Sequence, residues 1–181
     1  AGAGVSPDQT IGASAWYNAV QTAAAWTNAQ GQPRGDLLFV VHGYNSSEAD
    51  VMQRHRVVKS GLAALGFRGV VVSFDWPSDD QALAYLADRH RAKKTALKLV
   101  TDGIAALSAR QKPGCAINIH LLCHSTGAYV VREAFDDADD TTLKQQGWTV
   151  SQILFAAGDI SSASMSAGNP SAASVFNHCL R

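Results

Sequence analysis

A serine stands at the centre of the pentapeptide Cys123-His124-Ser125-Thr126-Gly127. An apolar run from Ile117 to Leu122 precedes it, and a stretch with helical spacing from Ala128 to about Asp137 follows. Strand, tight turn with a central serine, then helix is the layout of a nucleophile elbow. The turn lifts the hydroxyl above the sheet edge, within reach of both a base and an acyl substrate. Residues flanking the serine must be small, because strand and helix pass close there. Gly127 meets that need, while Cys123 stands where a glycine is usual.

A second group belongs to the same chemistry. His42-Gly43-Tyr44-Asn45 directly follows the apolar run Leu37 to Val41. A glycine at the carboxyl end of a strand lets the backbone approach a substrate and aim an N–H at a developing negative charge. Gly43 and Tyr44 are therefore the expected first half of an oxyanion hole, and the backbone N–H of Thr126 the second. Taken alone, Gly43-Tyr44-Asn45 would read as a plain strand-to-helix turn. Paired with an elbow one crossover away, the oxyanion reading is favoured.

A serine hydroxyl needs a base to take its proton. In hydrolases built on an elbow the chain order is Ser, then Asp or Glu, then His. Asp159 follows the run Gln152 to Ala157, on the correct edge and in the correct order. His178 is the histidine that follows Ser125 in the chain. Ser125, Asp159 and His178 thus form one candidate triad. The competing roles are a helix N-cap for Asp159 and a terminal residue without function for His178. Of the other histidines, His42 is expected to orient the oxyanion loop and His120 to be a satisfied core residue. His124 should point away from the serine hydroxyl, and His55 and His90 read as helix packing or surface residues. No pair has metal-ligand spacing with carboxylate or cysteine support, and no phosphate-binding Gly-Lys loop is present. Neither a metal nor a cofactor is expected.

The elements that must carry these residues read as alternating strands and helices. Leu37 to Val41, Val70 to Phe74, Ile117 to Leu122 and Gln152 to Ala157 are short apolar runs, as buried parallel strands require. Helical spacing appears over Val51 to Leu65, after a polar cap region at Asn45 to Ser47, and from Gln81 to Arg110, where Pro113-Gly114 stops it. The alanine-rich stretch Ile11 to Gln30 is expected to be helical, and Gln30 to Asp36 a loop. Ser161 to Ser174 reads as a loose loop or a short helix. Strands alternating with helices imply crossovers and a mostly parallel sheet covered on both faces. Ligands on such sheets sit beyond the carboxyl ends of the strands.

Bulk properties narrow the function. The 181 residues suit one domain: 1–35 an N-terminal helix and loop, 36–160 a core sheet with crossover helices, 161–181 a loose C-terminal segment. Fifteen basic and fifteen acidic residues give a formal net charge of zero, which argues against a charge-driven nucleic-acid or anionic-membrane binder. No apolar run approaches the ~20 residues of a membrane span. Three cysteines, Cys115, Cys123 and Cys179, are too few for a disulfide framework, though a Cys115–Cys179 bridge stays open.

Five blocks in order carry a resemblance. They are His42-Gly43-Tyr44-Asn45, Trp76-Pro77-Ser78, Tyr85 with Asp88-Arg89, His124-Ser125-Thr126-Gly127, and Ala157-Gly158-Asp159-Ile160. This set resembles a bacterial family of α/β-hydrolase-fold proteins known as DUF900. Its usual forms are His-Gly-Tyr-Asn, Trp-Pro-Ser, Tyr-x-x-Asp-Arg, Ala-His-Ser-Met-Gly and Ala-Pro-Asp-Ile. Cys123, Thr126 and Gly158 depart from that pattern without removing the nucleophile. The resemblance runs from about Leu37 to Ile160. It implies an α/β-hydrolase fold, a lipase-like serine esterase activity on a small-molecule carboxylic ester, and no cofactor. It also implies that the sheet continues for about two more strands, whose loops can supply acid and histidine. Two readings follow: a compact triad with His178, or a base that lies beyond residue 181 in a missing C-terminal segment or a second chain. A non-catalytic hydrolase-like binding module is the alternative function. Asp75 and Trp76 read mainly as a strand end and a core-packed turn, and Tyr85, Asp88 and Arg89 as structural.

Overall fold

The computed structural model describes residues 5–78, 95–111 and 117–180. Tyr85, Asp88, Arg89, His90 and Cys115 lie outside the described residues, as do the roles expected of them. Helix α1 spans Ala13–Ala24 and is followed by strands β1 (Ala25–Thr27) and β2 (Pro33–Val41). Helix α2 (Glu48–Ala64) leads to β3 (Val70–Phe74). A π-helical turn, Leu99–Ala105, runs into Ala106–Ser108, and together they are called α3. Strand β4 (Ile117–His124), helix α4 (Gly127–Asp139), strand β5 (Gln152–Ala156) and helix α5 (Pro170–His178) complete the order.

The sheet is mostly parallel. β2 lies at its centre, with β3 on one side and β4 on the other, and β5 beyond β4. β1 pairs antiparallel with the first residues of β2. The chain thus moves from β2 outward to β3 and then returns to the opposite side of β2 for β4. That reversal creates a crevice at the carboxyl ends of β2 and β4, the place where open α/β sheets bind ligands. Register there is set by Val41 opposite Cys123, so His42 and Gly43 emerge beside His124 and Ser125.

One face of the sheet is tightly filled. Leu37, Phe39 and Val41 of β2 and Ile119, Leu121 and Cys123 of β4 are buried under α1, α3 and α4. Side chains alternate along each strand, so the intervening residues point to the other face. There α2, opened by a capping box between Ser47 and Asp50, packs on β3. Nearer β5 that face is bare, and Leu154 is 62% exposed. Among the described residues no helix is long and apolar enough to cross a membrane.

Two expectations for the N-terminal stretch differ from the structure. The helix ends at Ala24, and Pro33 to Asp36 are strand instead of loop. Trp26 donates from its indole nitrogen to Asp36 at 2.7 Å, and Arg68 lies 3.9 Å above its ring. Pairing with β2 overrides the helical preference of the alanines. The Ser161–Ser174 region holds a turn, Ala163–Met165, and the start of α5, capped by Asn169.

Close approach at the elbow is measurable. A Cβ on Gly127 would collide with the carbonyl oxygen of Val41 and stand 2.7 Å from that of His42. Gly127→Ala is therefore expected to lower stability by roughly 1–3 kcal/mol. Gly12→Ala, with nothing within 4 Å of the added methyl, should not. Thermal unfolding of the two variants checks the contrast.

Candidate active site

Ser125 has φ +52°, a left-handed conformation that a serine adopts only where its surroundings enforce it. The surroundings are visible. Its N–H donates to Ala156 at 3.1 Å, and its carbonyl accepts from Asp159 at 2.9 Å and from Ala128 at 3.0 Å. The elbow is thus locked to the end of β5 on one side and to the first turn of α4 on the other. Asn45 and Ala157 are the other non-glycine residues with positive φ among the described residues, at +51° and +47°. All three sit just past the carboxyl ends of β2, β4 and β5, where backbone strain gathers around functional edges.

The loop after β2 presses against this turn. A Cβ on Gly43 would lie 2.8 Å from the Cβ of Ser125 and 3.2 Å from the carbonyl of His124. No residue larger than glycine fits without moving one loop away from the other. Thr126 is 4% exposed and stands at the N-cap position of α4, with no side-chain cap hydrogen bond. Its backbone N–H has no hydrogen-bond partner among the described residues. An uncommitted buried amide at a helix N-terminus is a ready donor to an anion. Gly43 is therefore packed against Ser125, and Thr126 is the next residue of the same turn.

The loop residue His42 is 3% exposed. Its Nδ1 lies 2.9 Å from the Gly43 carbonyl and its Nε2 2.9 Å from Asp75 Oδ1. Trp76 stacks on the ring at 5.5 Å with planes 14° apart, and its indole N–H donates to the His42 carbonyl at 2.8 Å. The turn after β3, read from sequence as packing, is thus the support of the loop after β2. A strand-end acid one strand away from a strand-end histidine was the signal that could have found Asp75.

His178 is not at this site. Its Nε2 lies 2.7 Å from Asp139 Oδ1 and its Nδ1 2.9 Å from the Trp148 carbonyl, and its ring stacks on Trp148 at 3.7 Å. Asp139 ends α4, whose first residue is Gly127. A helix of that length separates His178 from Ser125 by about 18 Å. His178 also precedes Cys179, which bridges Val150 at the amino end of β5, the far edge of the sheet. The compact triad is therefore corrected: the fold does not bring His178 to Ser125. Chain order alone pointed to it, and strand direction overrules chain order.

Asp159 is beside the elbow through its backbone, and its side chain is exposed. The Ser125 hydroxyl has no hydrogen-bond partner among the described residues. His55 is turned to Ser73, and His120 to Asp36. Burial pushes the Cys123 thiol far above its ordinary value, so it stays protonated and is no rival nucleophile. Among the described residues no cluster of His, Cys, Asp or Glu could hold a metal ion.

The family model described as alpha/beta hydrolase of unknown function (DUF900) matches residues 19–173. The chain belongs to that family. Neither the curated proteins nor the solved structures include a match. The matched span holds β2 to β5, the elbow and Asp159, in agreement with the strand order and the strained serine.

Two substitutions separate the site from the fold. His178→Ala leaves the Trp148 carbonyl and Asp139 unpaired and is expected to cost roughly 1–3 kcal/mol. Labelling of Ser125 by a fluorophosphonate should keep its wild-type rate in that variant below its melting temperature. Gly43→Ala should instead slow labelling by about 100-fold or more and lower the melting temperature as well, because its added Cβ would stand 2.8 Å from the Cβ of Ser125.

Proposed function

We propose that the protein is a serine hydrolase of carboxylic esters, with Ser125 as nucleophile. One observation carries the reading: a serine held at φ +52° between a parallel strand and a helix, with the uncommitted Thr126 amide beside it. A strained elbow of this kind serves to expose a hydroxyl.

In this mechanism Ser125 Oγ attacks the ester carbonyl as its proton passes to a base. The carbonyl π electrons move to oxygen, and the backbone N–H groups of Tyr44 and Thr126 receive the oxyanion. The base returns the proton to the alcohol as the C–O bond breaks. Water, activated by the same base, then cleaves the acyl-enzyme and regenerates Ser125. Asp159 is the acid that orients the base in this reading.

The base comes from outside the described residues. Val150 donates to the His178 carbonyl at 2.8 Å, and Leu180 donates back to Val150 at 3.0 Å. That parallel bridge faces away from β4, because the next amide, Ser151, donates to Ile119. A strand extended in the same direction runs along the free edge of β5 toward Asp159 and Ser125. Such a strand, from a C-terminal segment or a second chain, is the route by which a histidine reaches the site.

The second reading is a hydrolase-like binding module without catalysis, favoured by the lack of a base beside Ser125 among the described residues. A fluorophosphonate probe on the natural polypeptide separates the two. The enzyme reading expects one label per chain, mapped to Ser125 by mass spectrometry, and hydrolysis of short-chain p-nitrophenyl esters. Both should vanish in Ser125→Ala. Absence of labelling in the wild-type polypeptide would establish the binding module instead.

A further inference from the structure

We propose that the uncovered sheet face over β4 and β5 seats an amphipathic helix, which follows the strand begun at Cys179 in the natural polypeptide. The inference rests on that added strand, not on the chemistry of Ser125.

The face is built like an interior surface. In-register pairing of β2, β4 and β5 sets Val40, Leu122 and Leu154 side by side on it. Among the described residues Leu154 is left 62% exposed, and Leu38, Val58 and Leu62 border the same groove of about 740 Å³. Polar groups of the face lie at its amino end, where they are paired. Asp36 accepts from Trp26 there and lies 3.2 Å from His120 Nε2. The middle of the groove is left to aliphatic side chains, the surface that a packed layer of helix covers.

Chain direction explains why this face is open. Strand, crossover and parallel strand turn right-handed. From β2 to β3 the chain steps one way across the sheet, and α2 packs on one face. From β3 to β4 and from β4 to β5 it steps the other way, and α3 and α4 lie on the opposite face. A strand beyond β5 repeats that second direction. Its crossover is α5, which packs on α4 as the rule requires. No crossover in this direction reaches the groove. A segment that comes after the added strand, instead of leading to it, does.

Width and end charge fit one helix. β4 and β5 together offer a surface about 10 Å wide, which is one helix diameter. The bridge from Cys179 to Val150 is parallel, so the added strand ends at the carboxyl edge and the helix returns toward the amino edge. Its last carbonyls carry partial negative charge. Arg68 is exposed at that end of the groove, fixed by donation to the Thr27 carbonyl and by the Trp26 ring beneath it.

The test uses the natural polypeptide. Leu154→Cys should react with a maleimide about 100-fold or more slowly than Ser60→Cys, each read at its own site by mass spectrometry. Ser60 is exposed and stands two residues from both Val58 and Leu62, on the outer side of α2. Benzoylphenylalanine in place of Leu62 should cross-link within one polypeptide, to residues three or four apart. Equal labelling of the two variants, or cross-links to a second copy, would overturn the proposal. Amide exchange separates its fate from that of the strand. The Gln152 and Leu154 amides face the free edge as Val150 does and should exchange slowly once a strand is paired there. Slow exchange together with a reactive thiol at position 154 overturns the helix alone. Fast exchange at both amides overturns the strand, and the helix with it.

Discussion

Everything at the candidate site depends on the contact between the end of β2 and the start of α4. Gly127 sits so close to the carbonyls of Val41 and His42 that no side chain could stand there. This approach forces Ser125 into the left-handed region, because strand and helix must be joined in two residues across a short gap. It also sets Gly43 against Ser125. Register alone makes it so: Val41 pairs with Cys123, and each chain then turns within one residue.

The strain so created is held by ordinary hydrogen bonds. Ser125 is tied to Ala156 and Asp159, and His42 to Gly43, Asp75 and Trp76. The loops after β2, β3, β4 and β5 form one connected edge, so the strain in one is shared by the others. The buried face beneath, from Leu37 to Cys123, supplies the rigid base that such strain needs. A mobile sheet would let the elbow relax and withdraw the hydroxyl.

Much of this was legible in the residue pattern. Apolar runs of five or six residues marked β3 and the cores of β2, β4 and β5, although one face of the sheet stays bare near β5. Ser47 marked the start of α2, and Gly127 that of α4. The antiparallel β1 was missed because it continues the alanine-rich stretch that reads as helix, while Trp26 reaches Asp36 across the pair with β2. Trp76 was read as packing, and it does pack; its hydrogen bonds to His42 need a neighbour that no local pattern names.

The sequence by itself determined most of the elements, the alternation that makes a parallel sheet, and the serine at the strand-to-helix turn. These depend on spacing over a few residues, which side-chain periodicity and turn chemistry encode directly. Only the tertiary structure decided which acid meets which histidine. His42 meets Asp75 across 33 positions, and His178 meets Asp139 across 39, at opposite edges of one sheet. Strand order and direction choose those partners, and they are properties of the whole packed chain. Hence two histidines with the same local look, each beside an acid, part company: one supports the serine and the other holds down the last helix.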